Sequence, residues 1–298
     1  MSSAFEAARA LGVIDTFLSM PSPREQQAKK YDYIRAIAND RESQEMEMPA
    51  EYMFKGVPKY EQLDDPVALV LALMDHHGID RMLTGIREGG DALRAVRDHP
   101  DRFFAMVNVD PNTGMDAVRG LVRAVEEHGV KAAHVWGTGL NPQVPIDDKK
   151  MYPIYAKCVE LDLPIILYAG VPGPRIPMGS QEVALLDEVC WFFPELKIVV
   201  RHGGEPWTKL MVKLLLKWPN LYYSTSAFAP KHYPPDIVEF ANTRGADKVM
   251  YAGYFSAGLG LDRIFDELPA VPFRDHVWPK FLRENAVRVF GLDDSARP

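Results

Sequence analysis

Short apolar segments alternate with longer amphipathic segments along most of the chain, and this alternation constrains the fold more than any other feature. Each of eight strand-like segments is followed by a segment with helical spacing. The predicted strands are 13–17, 81–86, 103–109, 130–136, 164–168, 197–202, 220–226 and 248–254. Near-continuous apolar strands separated by amphipathic helices indicate a parallel sheet covered by helices. The 298 residues therefore predict a single α/β domain, a (β/α)8 TIM barrel over residues 1–298.

An open doubly wound sheet is the alternative arrangement of these elements. Such sheets usually carry a Gly-x-Gly-x-x-Gly turn after the first strand, and no such turn follows residues 13–17. The predicted helices are 24–39, 66–77, 91–98, 115–128, 151–162, 181–193, 206–218, 234–244, 259–267 and 279–289. Residues 20–63 are too long for a plain connection, so we expect an insertion after the first strand that acts as a lid.

Composition excludes several classes of protein. A hydrophobic fraction of 47% and a charged fraction of 25% are typical of a soluble globular chain, and the net charge of -7 argues against nucleic acid as a partner. The two cysteines, Cys158 and Cys190, lie in predicted helices and have no metal-ligand spacing, so we expect buried free thiols. Neither a signal pattern nor a long apolar run is present, so we expect a cytoplasmic protein without a membrane span.

Polar and aromatic side chains collect where the predicted strands end, which is where α/β barrels place their active sites. They are Asp15, Ser19, Asn108, Asp110, His134, Trp136, Tyr168, Arg201, His202, Glu205, Ser224, Ser226 and Tyr254. Strict alternation along the first strand puts Asp15, Phe17 and Ser19 on one face. Tyr168 and His202 each stand immediately before a turn that contains glycine, a position that suits a ligand-facing group.

Several segments carry a family resemblance that runs from the first strand to Leu292. They are 160–165, 193–199, 202–207, 218–226 and 281–286. In these segments the chain resembles the amidohydrolase-related family, which includes aminocarboxymuconate-semialdehyde decarboxylase-like enzymes. The resemblance implies the same barrel.

The resemblance also implies a metal site that this chain does not reproduce. The family pattern places an Asp-x-His-x-His motif on strand one, a His at the end of strand five and an Asp after strand eight. The residues at the matching ligand positions are Phe17, Ser19, Tyr168 and Tyr254. Phe cannot bind a metal, and Tyr binds one only as a phenolate. We therefore expect the usual zinc site to be absent, while His202 matches the catalytic His of strand six.

Two kinds of site remain open. In the first, a relocated metal is bound by Asp15, His202 and Glu205, with His134 or a tyrosine in addition. That donor set suits Fe(II), Mn(II) or Zn(II). In the second, no metal is present and His202 acts as general base, oriented by Asp15 or Glu205, while Arg201 or backbone amides stabilise an oxyanion. The first is favoured because Asp15 would otherwise be an uncompensated buried charge.

The function predicted from these residues is that of a divergent hydrolase acting on an activated carboxyl group. Relatives that share the stretches His-Gly-x-Glu-Pro-Trp and Tyr-Ala-Gly-Tyr-Phe suggest acyl-CoA thioester hydrolysis, assisted by a non-haem metal such as iron. The alternatives are a decarboxylase or another lyase, and a catalytically inactive binding barrel. Self-association into a homo-oligomer is a further expectation from the resemblance.

The predicted substrate site has an apolar mouth and a basic rim. The side chains expected to contact substrate are Phe17, His134, Trp136, Tyr168, Arg201, Trp207 and Tyr254, and Phe228 is expected to join the mouth. A bulky apolar acyl group would suit such a mouth. Lys29, Lys30 and Arg175 are candidates for contacts with phosphate groups.

Overall fold

The computed structural model describes residues 3–293, and its central feature is a ring of eight parallel strands in sequential order. The strands are β1 (Val13–Leu18), β2 (Ile79–Ile86), β3 (Phe103–Asn108), β4 (Ala132–Val135), β5 (Ile165–Tyr168), β6 (Ile198–Arg201), β7 (Leu221–Ser224) and β8 (Val249–Met250). The ring closes where the Thr16 amide donates to the Tyr251 carbonyl at 3.2 Å and where Leu18 pairs with Phe255. The predicted TIM barrel is confirmed.

Alternation along the strands divides the core into two layers. One set of buried side chains fills the barrel, including Ile14, Phe104 and Ile166. The other set packs between the strands and the helices, including Val13 and Leu167. Both faces of each strand are therefore apolar, which is why the strands read as continuous apolar runs.

Helices surround the ring. They are α1 (Ser3–Ala10), α2 (Arg24–Lys29), α3 (Asp32–Arg35), α4 (Arg41–Glu45), α5 (Pro66–His77), α6 (Asp91–Asp98), α7 (Met115–His128), α8 (Tyr152–Glu160), α9 (Leu186–Phe192), α10 (Thr208–Lys217), α11 (Pro235–Thr243), α12 (Leu261–Glu267), α13 (Val277–Pro279) and α14 (Asn285–Phe290), with a π-helical turn at Lys280–Glu284. Within residues 3–293, no helix has the length and hydropathy needed to cross a bilayer.

The ends of α5 follow from local sequence. The Asp65 carboxylate accepts hydrogen bonds from the amides of Val67 and Ala68 at 3.0 and 3.2 Å, and Pro66 occupies the first turn. Gly78 ends the helix with a left-handed φ of 71°. These are the N-cap and C-cap residues that satisfy the free backbone groups at helix ends.

The predicted helix over 24–39 is instead two short helices, α2 and α3. The Ala28 carbonyl, which would pair with the Asp32 amide in a continuous helix, accepts from the Tyr31 amide at 3.1 Å. The same carbonyl accepts from the Arg35 guanidinium at 2.8 and 2.9 Å. The side chain of Arg35 thus competes for the backbone acceptor and interrupts the helix.

The insertion that follows β1 covers the mouth of the barrel. Phe54 stacks on Tyr254 with ring centroids 5.5 Å apart, and Tyr33 meets Trp136 edge to face at 6.2 Å. The Tyr52 hydroxyl donates to the Gly173 carbonyl at 2.6 Å. A small open cleft lies between the insertion and the β8 loop, lined by residues that include Met48, Tyr60 and Ala257.

Candidate active site

A buried arginine lies at the centre of the barrel mouth. Arg201, the last residue of β6, is 1% exposed. Its guanidinium donates to the Thr16 carbonyl, contacts Met106 Sδ at 3.7 Å and lies 5.0 Å from the centroid of the Phe17 ring. Its Nε has no hydrogen-bond partner. The five donors of the guanidinium are therefore under-satisfied, and burial lowers its pKa.

A chain of hydrogen bonds runs across the mouth beside this cation. Asn108 Oδ1 lies 2.6 Å from His134 Nδ1, and His134 Nε2 lies 3.0 Å from the Tyr168 hydroxyl. Because an amide oxygen only accepts, Nδ1 carries the proton, and Nε2 accepts the hydroxyl hydrogen of Tyr168. Burial and the charge of Arg201 keep the pKa of His134 well below its ordinary value, so the imidazole is neutral.

His202 follows β6 directly and has a left-handed φ of 65°. Its Nδ1 lies 2.9 Å from Ser226 Oγ at the end of β7. Burial, together with the charge of Arg201, lowers the pKa of His202 to about 3, so this imidazole is also neutral at physiological pH. Tyr254, after β8, has a similar φ of 66°. Left-handed conformations at bulky residues are costly and cluster at functional sites.

Aromatic rings enclose these polar groups. The Tyr254 ring lies 4.6 Å from Phe17 and 5.1 Å from His202, measured between centroids. Tyr168 lies 4.5 Å from His202 and 5.6 Å from Trp136. Together with Tyr33 and Phe54 of the insertion, these rings form a box with flat faces that suits a planar ligand.

Asp15 differs from the sequence expectation because it does not face the mouth. A register shift between Asp15 and Leu18 interrupts strict alternation, so Phe17 turns toward the mouth. The carboxylate instead lies near Tyr251 and Ile264, on the helical side of the sheet. Its Oδ1 accepts from the amides of Phe17 and Gly253, each at 2.9 Å, while Oδ2 has no partner.

Protonation offsets part of the cost of burying Asp15. Burial raises its pKa from 3.8 to about 7, although the two amide hydrogen bonds and the charge of Arg201 act in the opposite direction. The carboxyl is thus partly neutral at physiological pH.

The predicted metal ligands Asp15, His202 and Glu205 are not brought together. Glu205 is exposed, and the structure orients His202 through Ser226 instead of through either carboxylate. Within residues 3–293, the one group of three or more His, Cys, Asp or Glu ligand atoms lying within 4.8 Å of one another is elsewhere, at α5 and α12.

The positions at which the family pattern places metal ligands do not fit a divalent ion either. Phe17 offers no donor, and the Tyr168 hydroxyl is engaged with His134. Burial holds the pKa of Tyr254 well above its ordinary value, so its phenol is protonated. The guanidinium of Arg201 occupies the mouth and repels a second cation. These residues favour an anion over a metal.

The other residues predicted to contact substrate or its phosphate groups lie in different surroundings. Phe228 lies against Gly203 at the mouth, and Trp207 is half-buried against the hydrophobic core. The basic residues of the rim already have partners within the chain. Arg175 binds the carboxylates of Asp40 and Glu42 at 3.0 and 2.6 Å. Lys29 binds Glu25 at 2.8 Å, and Lys30 donates to the Met20 carbonyl at 2.7 Å.

Sequence reasoning assigned no site role to three residues that contribute to the mouth. Tyr33 and Phe54 approach it from the insertion, and Gln181 accepts from Trp136 Nε1 at 3.3 Å. The repeated aromatic residues in the sequence of the insertion could have indicated that it contributes to the mouth. Nothing local in the sequence around Gln181 marks it.

The chain belongs to the amidohydrolase family, whose family model matches residues 14–292. No curated protein sequence matches it at a significant level.

Solved structures share the fold at low sequence identity. An uncharacterised TIM-barrel protein from Bordetella bronchiseptica has a TM-score of 0.72 and 19% identity, covering 94% of this chain and 99% of that one. A 5-carboxyvanillate decarboxylase from Novosphingobium aromaticivorans, with bound manganese, has a TM-score of 0.66 and 18% identity. The match covers 95% of this chain and 98% of that one. A 4-oxalomesaconate hydratase from Rhodopseudomonas palustris has a TM-score of 0.60 and 20% identity, and the match covers 95% of this chain and 97% of that one. These similarities establish the barrel.

Proposed function

We propose that this protein is a decarboxylase that removes a carboxyl group from a small, planar, conjugated carboxylate without a catalytic metal. The observation that carries the proposal is the buried, under-satisfied guanidinium of Arg201 inside an aromatic box. A buried cation with an unsatisfied donor is costly, and an anionic oxygen of a ligand would supply the missing acceptor. The similar structures support this direction, since one acts on carboxyvanillate and another on oxalomesaconate.

The chemistry of the mouth favours decarboxylation over reactions that consume water. Hydration and thioester hydrolysis both need an activated water. His202, with a pKa of about 3, is a weak base, and the family's metal-ligand positions lack donors that would activate water. Decarboxylation needs only a place for the electron pair and a proton donor. The pairing of the basic rim also removes the support for acyl-CoA.

The residues divide the reaction between them. As carbon dioxide leaves, the electron pair of the broken bond flows into the conjugated system, and the Arg201 guanidinium stabilises the oxygen that gains negative charge. Tyr168, whose hydroxyl rests on His134 Nε2, turns its proton to the carbon that lost the carboxyl group, and the phenolate regains a proton from solvent when the product leaves. Aromatic faces hold the substrate flat and exclude water during the reaction. A binding barrel would have no need for a buried proton donor or for left-handed residues at the mouth.

The test is a substrate panel given to chelator-treated protein. The protein is incubated separately with hydroxybenzoates, unsaturated enol carboxylates and an aromatic acyl-CoA thioester. Released carbon dioxide, hydrated product and free thiol are then measured. We expect carbon dioxide from a carboxylate, at a rate that manganese does not raise. Turnover that requires added metal, or thiol release without carbon dioxide, would contradict the proposal.

Tyr168→Phe should lower kcat on the order of 10²–10⁴-fold while substrate binding persists, because the ring is retained and the transferable proton is lost. His134→Gln should lower kcat less, since it changes the group that orients the Tyr168 hydroxyl but leaves the transferable proton in place. Steady-state kinetics with fluorescence titration separate the two effects. Tyr60→Phe, in the insertion, is the matched control. A fall in affinity with unchanged kcat would assign Tyr168 to binding alone.

Bound carboxylate should slow proteolysis of the insertion. Tyr33 and Phe54 close over the mouth, so a ligand held in the box stabilises the closed form. With 4-hydroxybenzoate at ten times its Kd, we expect tryptic cleavage within 20–63 to slow about tenfold. Time-resolved mass spectrometry measures this rate. Cleavage that is unaffected by the ligand would mean that the insertion is a fixed cover.

A further inference from the structure

A second group of potential ligands lies outside the barrel mouth, between α5 and α12. His76 and His77 are the last two residues of α5, and Asp262 lies in the first turn of α12. One ligand atom from each of the three lies within 4.8 Å of the other two. We infer that His76, His77 and Asp262 form a binding site for a divalent transition-metal ion of the Zn²⁺, Co²⁺ or Ni²⁺ class.

The geometry needs only small side-chain movements to enclose an ion. His77 Nε2 and Asp262 Oδ1 are 3.0 Å apart, and ligand atoms around a tetrahedral zinc are separated by roughly 3.3 Å. His77 is 5% exposed and its ring stacks on Phe265 at 4.8 Å, which fixes one ligand in place. His76 and Asp262 are exposed and can rotate onto the ion.

The surroundings suit a cation of borderline softness. Two imidazoles and one carboxylate are preferred donors for these metals and leave at least one position for water. The ligands from α5 stand at its C-terminus, where the helix dipole favours positive charge. The nearby Arg9 donates from Nε to the His77 carbonyl at 2.9 Å, and its guanidinium lies over the Phe265 ring.

An ion here would join two parts of the helical layer. α5 leads into β2, whereas α12 follows the β8 loop. Ile264 of α12 lies close to Gly253, the residue before Tyr254. The ion would therefore brace the layer behind the β8 loop without touching the candidate active site, and its role is structural.

The experiment is equilibrium dialysis of the untagged, chelator-treated chain against ZnCl2, with Co²⁺ absorption in the visible range as a second readout. We expect one ion per chain with a micromolar Kd. His76→Ala and Asp262→Ala should each weaken binding at least tenfold, and both side chains are exposed, so folding is retained. Zn²⁺ should raise the unfolding temperature of the unmodified chain but not of these variants.

Two controls make the result decisive. His128→Ala removes a histidine that pairs with a single carboxylate, Glu88 at 3.2 Å, and should bind Zn²⁺ normally. A His134→Ala, His202→Ala double variant should also bind it. Binding weaker than 1 mM in the unmodified chain, or unchanged binding in His76→Ala and Asp262→Ala, would overturn the inference. Loss confined to the double variant would move the ion to the barrel mouth and overturn it too.

Discussion

Arg201→Met should lower kcat/KM for the carboxylate substrate on the order of 10²–10³-fold, the loss typical of removing a donor to a developing oxyanion. The same change should leave the free energy of unfolding unchanged or higher. Arg201 is 1% exposed and its Nε lacks a partner, so the folded state carries the cost of desolvating this charge. Methionine fills similar volume without that cost, although the Thr16 carbonyl loses a donor.

The combination of lost activity and retained stability is the informative result. Steady-state assays and urea unfolding measure the two quantities. Arg201→Lys keeps the charge but not the planar donors, so we expect intermediate activity. Arg102→Leu, which removes an arginine beside Asp75 at the helix layer, is the control for activity. A large fall in the stability of Arg201→Met would mean that the guanidinium is structural.

Removal of the Arg201 charge should also be visible at its neighbours. Burial and this charge together depress the pKa values of His134 and His202. In Arg201→Met this charge is gone, so both pKa values should rise toward the ordinary range. NMR titration of the imidazole protons measures this shift, and unchanged values would contradict the electrostatic account of the mouth.

Asp15→Asn should strongly change the pH dependence of the free energy of unfolding. The folded-state pKa of Asp15 is raised from 3.8 to about 7 by burial. A raised pKa means that the folded state binds the proton more tightly than the unfolded state. The contribution of the protonated Asp15 carboxyl to the free energy of unfolding is therefore fully present below pH 4. It is lost as the pH rises through 7, by about 4 kcal/mol in total.

Asparagine cannot ionise, so it avoids this loss and keeps an acceptor for the Phe17 and Gly253 amides. The free energy of unfolding of Asp15→Asn, relative to the unmodified chain, should thus increase by about 4 kcal/mol between pH 4 and pH 8. His134 and His202 have depressed pKa values, so their contributions to the free energy of unfolding rise with pH, opposite to that of Asp15. These contributions are the same in both proteins and cancel in the comparison.

Urea unfolding at several pH values makes this measurement, with Asp101→Asn on an exposed turn as the control. Asp15→Ala should instead be destabilised at every pH, because two buried amides lose their acceptor at a cost of about 1–3 kcal/mol each. A pH-independent difference between Asp15→Asn and the unmodified chain would show that Asp15 is ionised throughout.

The barrel could be predicted from the sequence because its signal is distributed over the whole chain. Each strand is apolar on both faces and each helix carries its own end signals, such as Asp65, Pro66 and Gly78 around α5. Such local preferences agree with one another, and any single error leaves the alternation intact. The break between α2 and α3 could not be predicted in this way, since it depends on the Arg35 side chain reaching the Ala28 carbonyl.

The candidate site was predictable only in part. The sequence indicated the strand ends, and with them His134, Tyr168, Arg201 and His202, because the position of active sites in barrels follows from topology. It did not indicate that Asp15 and Phe17 face opposite sides, because the register shift after Asp15 reverses the face of the later side chain. Sequence position also grouped Glu205 with His202, although the Glu205 side chain is exposed.

The sequence by itself determined the barrel and the strand ends that bear the polar residues. Only the tertiary structure decided that a guanidinium with an unpartnered Nε lies among aromatic rings and that Tyr168 donates to His134. Periodicity and residue type are properties of neighbours along the chain. Charge balance and hydrogen bonding depend on distances between residues far apart in it, and those distances exist only after folding.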